Sequence, residues 1–309
     1  MRTINSPEYS RNYGFWNERE QQALLLSKVA IAGVGGDGFQ LGLKLAQMGV
    51  QNFSIADPEI FEPENTNRVP GATISTYGRN KAEVFMEKIE DINPESKVTI
   101  YSDGVTEDNV EDFMYDADLV LDESELTIPK IGTMVARQAR KQNIPDLMVM
   151  NIGFSAQATS FHPNSKKTFE KFMGIPRGMP LDEIEDIEVN FSRVLPFLPK
   201  YGDIDALAAV KEGASLPSIA PGVDVASAIG SSQSFLHLVG EIGNKRPDPI
   251  WYPRIAYIDA YDFSTKITKF PRFSYYKTLG HMVTRNLLKS NPSTCYSQGD
   301  RDARMNLDL

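Results

Sequence analysis

The sequence predicts an α/β protein: a doubly wound, mostly parallel sheet with helices on both faces. Three observations carry that expectation. Short apolar runs alternate with stretches of helical period; a cluster of glycines joins the first apolar run to the first strong helix; and the runs close on Asp57, Asp122 and Asn151, polar residues of the kind that face a ligand at the carboxyl ends of parallel strands.

Residues 18–26 (EREQQALLL) read as a short amphipathic helix, and Lys28–Ala32 (KVAIA) as a buried parallel strand. After Gly33-Val34-Gly35-Gly36-Asp37-Gly38, the residues Phe39, Leu41, Leu45, Ala46 and Met48 share one face of a helix that Gly49 terminates. Asn52–Ala56 is the second strand, 80–92 returns to the helical period, and Lys97–Tyr101 alternates like a strand. A buried strand at 117–121 (ADLVL) closes on Asp122, with a helix at 129–142 and a strand at 147–151 after it. Beyond 160 the pattern weakens, and prolines with an acidic stretch at 181–188 mark 172–220 as an insertion or substrate-facing excursion. A helix at 223–240 and a strand at 255–259 resume the core. The expected organisation is an arm and helix at 1–27, one α/β domain at 28–270, and a tail at 271–309, without repeats or an independent second domain.

A formal charge of −9 and a pI near 5.0 argue against nucleic acid or an anionic membrane surface as the main partner, since both need clustered Lys and Arg. No apolar run has the length of a signal peptide or approaches the roughly 20 residues of a membrane span, so the expected location is cytoplasmic. The single cysteine, Cys295, excludes an internal disulfide framework and a zinc site built from several cysteines.

A glycine loop between strand and helix lets backbone N–H groups approach a phosphate, and the helix N-terminus adds favourable partial charge. Gly33, Gly35, Gly36, Asp37 and Gly38 are therefore candidates for contact with a nucleotide. A tight strand-to-helix turn would carry the same glycines. Asp57, nineteen residues past Gly38, suits ribose hydroxyls. To this point a nicotinamide or flavin enzyme fits equally well.

The next segment separates these readings. It runs Asp57-Pro58-Glu59 to Asn65-Thr66-Asn67-Arg68, and Lys81 follows thirteen residues after Arg68 at a helix start. With Tyr9-Ser10-Arg11-Asn12 before the first strand, Asp122 closing the ADLVL run, a return helix from Pro221 and a last strand Ile258-Asp259-Ala260, the chain resembles the ubiquitin-activating enzymes. It is similar also to their bacterial relatives, the molybdopterin-synthase and thiamin sulfur-carrier adenylyltransferases. The resemblance implies a Rossmann-like domain that takes ATP and Mg2+, joins a substrate carboxylate to AMP and releases pyrophosphate. On that reading Asp57 and Glu59 lie at the nucleotide. Asn65, Arg68 and Lys81 face the triphosphate and neutralise charge on the leaving pyrophosphate. Arg11 reaches the ATP of the neighbouring subunit in a homodimer. The family's Asp-x-x-Asp-Asn is here Asp122-Glu123-Ser124-Glu125, which makes Glu125 the magnesium ligand and Asp122 a second candidate for metal or loop positioning.

Two departures bear on the substrate. The family's paired Cys-x-x-Cys zinc motifs are absent, and no cysteine lies in 160–220, where a thioester-forming nucleophile is expected; Cys295 in the polar tail is incidental. His162 and His237 read as structural. The resemblance offers two substrates with a free carboxylate: a ribosomal peptide being made into a natural product, or the C-terminus of a ubiquitin-like sulfur-carrier protein. The missing cysteines favour the peptide, with the adenylate driving condensation or dehydration. A NAD- or FAD-dependent oxidoreductase and a catalytically silent nucleotide-binding subunit are the readings of other classes.

Overall fold

The computed structural model describes residues 2–184, 217–240 and 245–269, with 187, 189, 194, 199, 201, 202 and 242. Most of the expected insertion, the tail 271–309 and Cys295 lie outside the described residues.

Helix α1 (Glu18–Leu26) is opened by a capping box in which Asn17 and Glu20 each satisfy the other's backbone N–H. It leads into β1 (Lys28–Ala32), buried from its second residue on. Helix α2 (Gly36–Met48) ends at Gly49, whose left-handed φ of 118° closes the helix. Then come β2 (Asn52–Ala56), a 3-10 turn at Pro63–Asn67, α3 (Lys81–Ile92) and β3 (Lys97–Tyr101). The chain continues through α4 (Val110–Phe113), β4 (Leu119–Asp122), α5 (Pro129–Gln142) and β5 (Asp146–Ile152). Up to this point each element anticipated from the sequence is present within two residues of its expected ends, except that α2 begins at Gly36, three residues early, so that Gly36, Asp37 and Gly38 form its first turn.

Among the described residues these strands belong to one eight-stranded sheet of order β3-β2-β1-β4-β5-β6-β7-β8. The first five in that order run parallel. The order reverses between β1 and β4, and a doubly wound sheet opens its ligand crevice at the carboxyl ends of the strands on either side of that switch.

Of the remaining strands, β7 was expected, while β6 and β8 were not, and all three run antiparallel. A two-residue turn, Gly153-Phe154, sends the chain back as β6 (Ser155–Phe161), which no apolar run announced and which pairs antiparallel with β5. After α6 (Phe169–Met173), α7 (Leu181–Ile184) and α8 (Ala220–Val239), β7 (Arg254–Asp259) and β8 (Ser264–Lys269) extend the sheet antiparallel. The stretch after 160 where the pattern weakens holds the short helices α6 and α7, and α8 starts three residues earlier than expected because Pro221 sits in its first turn.

Two helical layers cover the sheet. On one face α2, α3 and α8 enclose Ile31, Leu41, Leu45, Phe53 and Phe85; on the other, α4 and α5 enclose Ala30, Phe113, Val120 and Val135. Phe85 meets Phe39 and Phe53 edge-on, with ring centroids 5.1 and 6.5 Å apart. Each such fully buried ring contributes about 1.5–3 kcal/mol through apolar burial. Helix α8 packs on α2, β5 and β6, so it binds the two halves of the sheet together.

Candidate active site

The loop between β1 and α2 can fold as it does only without side chains at two places. Gly33 has φ 101°, and a Cβ there would lie 2.4 Å from the Glu123 carbonyl oxygen; a Cβ on Gly38 would lie 2.0 Å from the Gly33 carbonyl oxygen. The outcome is a compact turn at the head of the sheet that delivers the N-terminus of α2 into the crevice. A bare cradle of this kind fits a phosphate group.

Asp57, at the end of β2, is buried, and its two oxygens are already engaged. Oδ2 accepts from Val34 N–H at 2.8 Å and Oδ1 from Glu59 N–H at 2.8 Å. It thereby ties the glycine loop to the 57–59 turn. Burial raises its pKa, opposed by those N–H donors and by the Lys81 charge. Lys81 opens α3 with its ammonium buried and paired to the exposed carboxylate of Glu59 at 2.5 Å, while Asn80 caps the helix by accepting from Ala82 and Glu83 N–H. Asn80 also donates to the Asp57 carbonyl at 3.0 Å. Asp57, Glu59 and Lys81 therefore form one unit beside the loop.

Asn65 is buried in the 3-10 turn, where its Oδ1 accepts from Glu62 N–H. Arg68 ends that turn, and its aliphatic stem lies along the glycine loop: a Cβ on Gly36 would stand 3.7 Å from the Arg68 Cγ and Cδ. Arg68 Nη1 donates to Asn67 Oδ1 at 2.9 Å, and Asn67 Nδ2 to the Ser218 carbonyl at 2.9 Å. Asp37, in the first turn of α2, is turned to the end of β5, where Asn151 Nδ2 donates to both its oxygens at 2.9 Å and Asn151 N–H to Oδ2 at 3.0 Å.

The acids below the loop are crowded. Burial pushes the Asp37 carboxyl up to about 7 against the Asn151 donors, and Asp122 up to about 6 although Ser124 Oγ donates to it at 2.6 Å. Glu123 is raised well above the carboxylate range, first by burial and then by Asp37 and Asp122, and its Oε1 has no hydrogen-bond partner. Asp146, buried at the start of β5, is raised likewise by burial and by Asp122. Glu125, in contrast, is exposed and accepts from Thr127 N–H and Oγ1, which caps the turn leading to α5. Among the described residues no three His, Cys, Asp or Glu side chains form a metal site by themselves. A magnesium ion would thus depend on nucleotide oxygens, with Asp122 and Glu125 the carboxylates at hand, and would supply charge neutralisation at the phosphates.

Arg11 is not brought to this site. Tyr9 is buried beside Gly49 at the C-terminal end of α2, and Gln21 Nε2 donates to the Met48 carbonyl there, so the arm docks on its own chain at the far end of that helix. Thirteen helical residues separate that end from the loop, about 20 Å.

The ThiF family model matches residues 9–274. The chain belongs to the ThiF family. Among curated relatives of this ThiF-family chain, the tRNA threonylcarbamoyladenosine dehydratase of Bacillus subtilis (strain 168) is 32% identical over 155 residues, 50% of this chain and 60% of that protein. The sulfur carrier protein ThiS adenylyltransferase of Escherichia coli (strain K12) is 29% identical over 143 residues, 46% of this chain and 56% of the relative. The chain thus spans less than two thirds of these relatives' length. Among solved structures, E. coli MccB with ATP superposes with TM-score 0.65 at 17% identity, over 87% of this chain and 73% of that one. PaaA superposes with TM-score 0.63 at 17% identity, over 87% and 76%. These likenesses show a shared fold.

Sequence reasoning placed Asn151 at a strand end without giving it a role, and it passed over Glu123, Asn67 and Ser218. Asn67 carried a signal in its place beside Arg68. Ser218 carried none, because its carbonyl meets Asn67 across 151 residues of chain and its hydroxyl meets Asn151 across 67.

Proposed function

We propose that this ThiF-family chain is an ATP-dependent adenylyltransferase, acting on a substrate carboxylate. The carboxylate oxygen attacks the α-phosphate, pyrophosphate leaves, and the acyl-AMP is consumed by a nucleophile that the substrate or a second molecule supplies. The observation that carries this reading is the glycine-rich loop at the sheet's switch point, with the Arg68 stem along it and Lys81 buried at its flank. Positioning and charge stabilisation suffice for such a reaction, without a protein nucleophile. Residues 28–270 form the adenylation domain, with Asn65, Arg68 and Lys81 at the triphosphate and Asp122 or Glu125 at magnesium.

The substrate we propose is a ribosomal peptide in natural-product biosynthesis. Supporting it are the lack of any cysteine before Cys295 and a fold shared with the microcin C7 biosynthetic enzyme MccB, solved with N-formylated MccA. The alternative is a sulfur-carrier C-terminus, after the ThiS adenylyltransferase. A third substrate, a carboxylate borne on tRNA, follows the dehydratases at 32% and 30% identity, but the charge of −9 weighs against it. Pyrophosphate exchange into ATP, run with the peptide or carrier encoded beside the gene and with bulk tRNA in turn, tests all three. Exchange is expected with the peptide. Exchange with tRNA or carrier alone moves the substrate assignment, and a nicotinamide- or flavin-dependent turnover without exchange overturns the adenylation reading.

A homodimer in which Arg11 serves the neighbouring site completes the proposal. Its support is the docking of the arm at the end of α2 remote from its own loop.

A further inference from the structure

An aspartate within a phosphate-binding loop is out of place on electrostatic grounds. Its carboxylate, fixed in the first turn of α2, would repel the anion that the helix N-terminus attracts. The structure turns Asp37 aside. Asn151, at the end of β5, gives it three hydrogen bonds, two from Nδ2 and one from the backbone N–H. The other end of the same amide is occupied too, since Ser218 Oγ donates to Asn151 Oδ1 at 2.9 Å. From Ser218 the chain of polar contacts continues: its carbonyl accepts from Asn67 Nδ2, and Asn67 Oδ1 accepts from Arg68 Nη1. Arg68 returns to the glycine loop, with its stem along Gly36. The circuit thus leaves the loop at Asp37 and re-enters it at Arg68, passing through β5, the lead-in to α8 and the 3-10 turn.

We propose that Asn151 and Asn67 are positioning residues for the polyphosphate of ATP: Asn151 holds the Asp37 carboxyl off the loop, and the Ser218–Asn67 arm fixes the guanidinium of Arg68 over it. The inference rests on the reading of this loop as the ATP site. It assigns the circuit an effect on phosphate alone, because none of its members lies in the Asp57–Glu59–Lys81 unit.

The test is titration of the full-length chain with Mg-ATP and, separately, with adenosine, which lacks phosphate. Asn151→Ala removes the two side-chain bonds to Asp37, leaving only the backbone N–H to hold it off the loop, and loosens Ser218. It is expected to weaken ATP binding about tenfold, the worth of a hydrogen-bonded charge, and to leave adenosine within twofold. Asn67 is exposed, so Asn67→Ala tests the second arm without risk to folding; it should weaken ATP about threefold in the wild-type background and add nothing to Arg68→Ala. A circuit that merely braces the fold would weaken ATP and adenosine in parallel, and that result overturns the proposal. So does unchanged ATP binding in both variants. If the wild-type chain binds adenosine no worse than ATP, or binds neither, the ATP-site reading falls and the inference with it.

Discussion

The two halves of the sheet bury their strands by different means. In the parallel half, β1, β2 and β4 bury mostly apolar side chains, Ser54 in mid-β2 being the exception, and acids stand at the carboxyl ends as Asp57 and Asp122. In the antiparallel half β6, Ser155 to Phe161, is buried at every position, yet most of its side chains are hydroxyls, an amide or alanine. Most of those polar groups find partners on the strands, on α8 or at Val194, Gln157 Oε1 being left without one. Ser155 Oγ donates to the Ile152 carbonyl, Gln157 Nε2 to Val194, Thr159 Oγ1 to Arg254, and Ser160 Oγ pairs with His237 Nε2 at 2.7 Å. Asp57 and Asp122 at the strand ends tie the loops above the sheet, Asp57 through Val34 and Glu59 N–H and Asp122 through Ser124, whereas the matched groups of β6 only hold the sheet together. On the proposed reading, chemistry belongs to the parallel half and support to the other.

The sharpest way to break that division is to remove one charge from the parallel half. Lys81→Ala and Arg68→Ala are each expected to lower substrate-dependent pyrophosphate exchange by on the order of a hundredfold, the scale for losing one preorganised group at a developing charge. Both variants should stay folded, because the partner that Lys81 leaves, Glu59, is exposed. As the contrast, Thr159→Val in β6 strands the Arg254 carbonyl, lowering stability by about 1 kcal/mol while exchange stays within twofold. Denaturant melts and exchange rates on the three variants decide it; near-normal exchange in the first two would remove Lys81 and Arg68 from the site.

The same difference explains what could be read in the sequence. KVAIA, NFSIA and LVLD announce themselves because a strand covered on both faces must be apolar, and the glycine loop does so because side chains at Gly33 and Gly38 would collide with backbone oxygens. The run SAQATSF has neither an apolar core nor strict alternation, so its burial depends on partners that come from far along the chain. The family resemblance singled out Lys81 and Arg68, which the structure puts beside the loop, while Asn151's contacts to Asp37 span 114 residues and leave no local trace. Glu125, which the family resemblance places at magnesium, accepts from Thr127 N–H and Oγ1 in this structure, a local contact that the spacing did not foretell.

A second experiment sharpens the boundary between one chain and its neighbour. If Arg11 serves the other subunit, then mixing Arg11→Ala with Lys81→Ala yields heterodimers in which one site carries both defects and the other neither. With random exchange about half the dimers are mixed, so about a quarter of sites should regain full exchange activity. The arm's docking beside Gly49 makes an effect in cis implausible on distance, about 20 Å along α2. Equilibrated mixtures that recover nothing, with subunit exchange confirmed by mass, would sink the crossing arm.

The smallest effect at neutral pH, and the cleanest probe of the antiparallel half, is the titration of His237. Burial, with His162 nearby, pushes its imidazole down to about 4, while Trp251 packs against both rings at 4.8 Å and Ser160 Oγ holds Nε2. In the unfolded chain the same group has its ordinary value near 6.5. Between those values the unfolded state binds the extra proton, so the stability that neutral His237 contributes is whole above pH 6.5 and is lost as pH falls toward 4. Its full size is about 3 kcal/mol. The parallel half answers with the opposite sign. Asp37 near 7 and Asp122 near 6 sit above the ordinary carboxylate value, so the native state holds their protons longer, and their contribution is present in acid and lost as pH rises through those values. The wild-type curve of Tm against pH sums the two. His237→Gln, which keeps a partner for Ser160, subtracts one: its Tm should match wild type at pH 8 within a degree or two and exceed the wild-type trend progressively below 6.5. Curves that stay parallel from pH 8 to 4 would mean that His237 takes its proton as readily in the fold as out of it, and that the antiparallel half is not closed to water where Ser160 meets the ring.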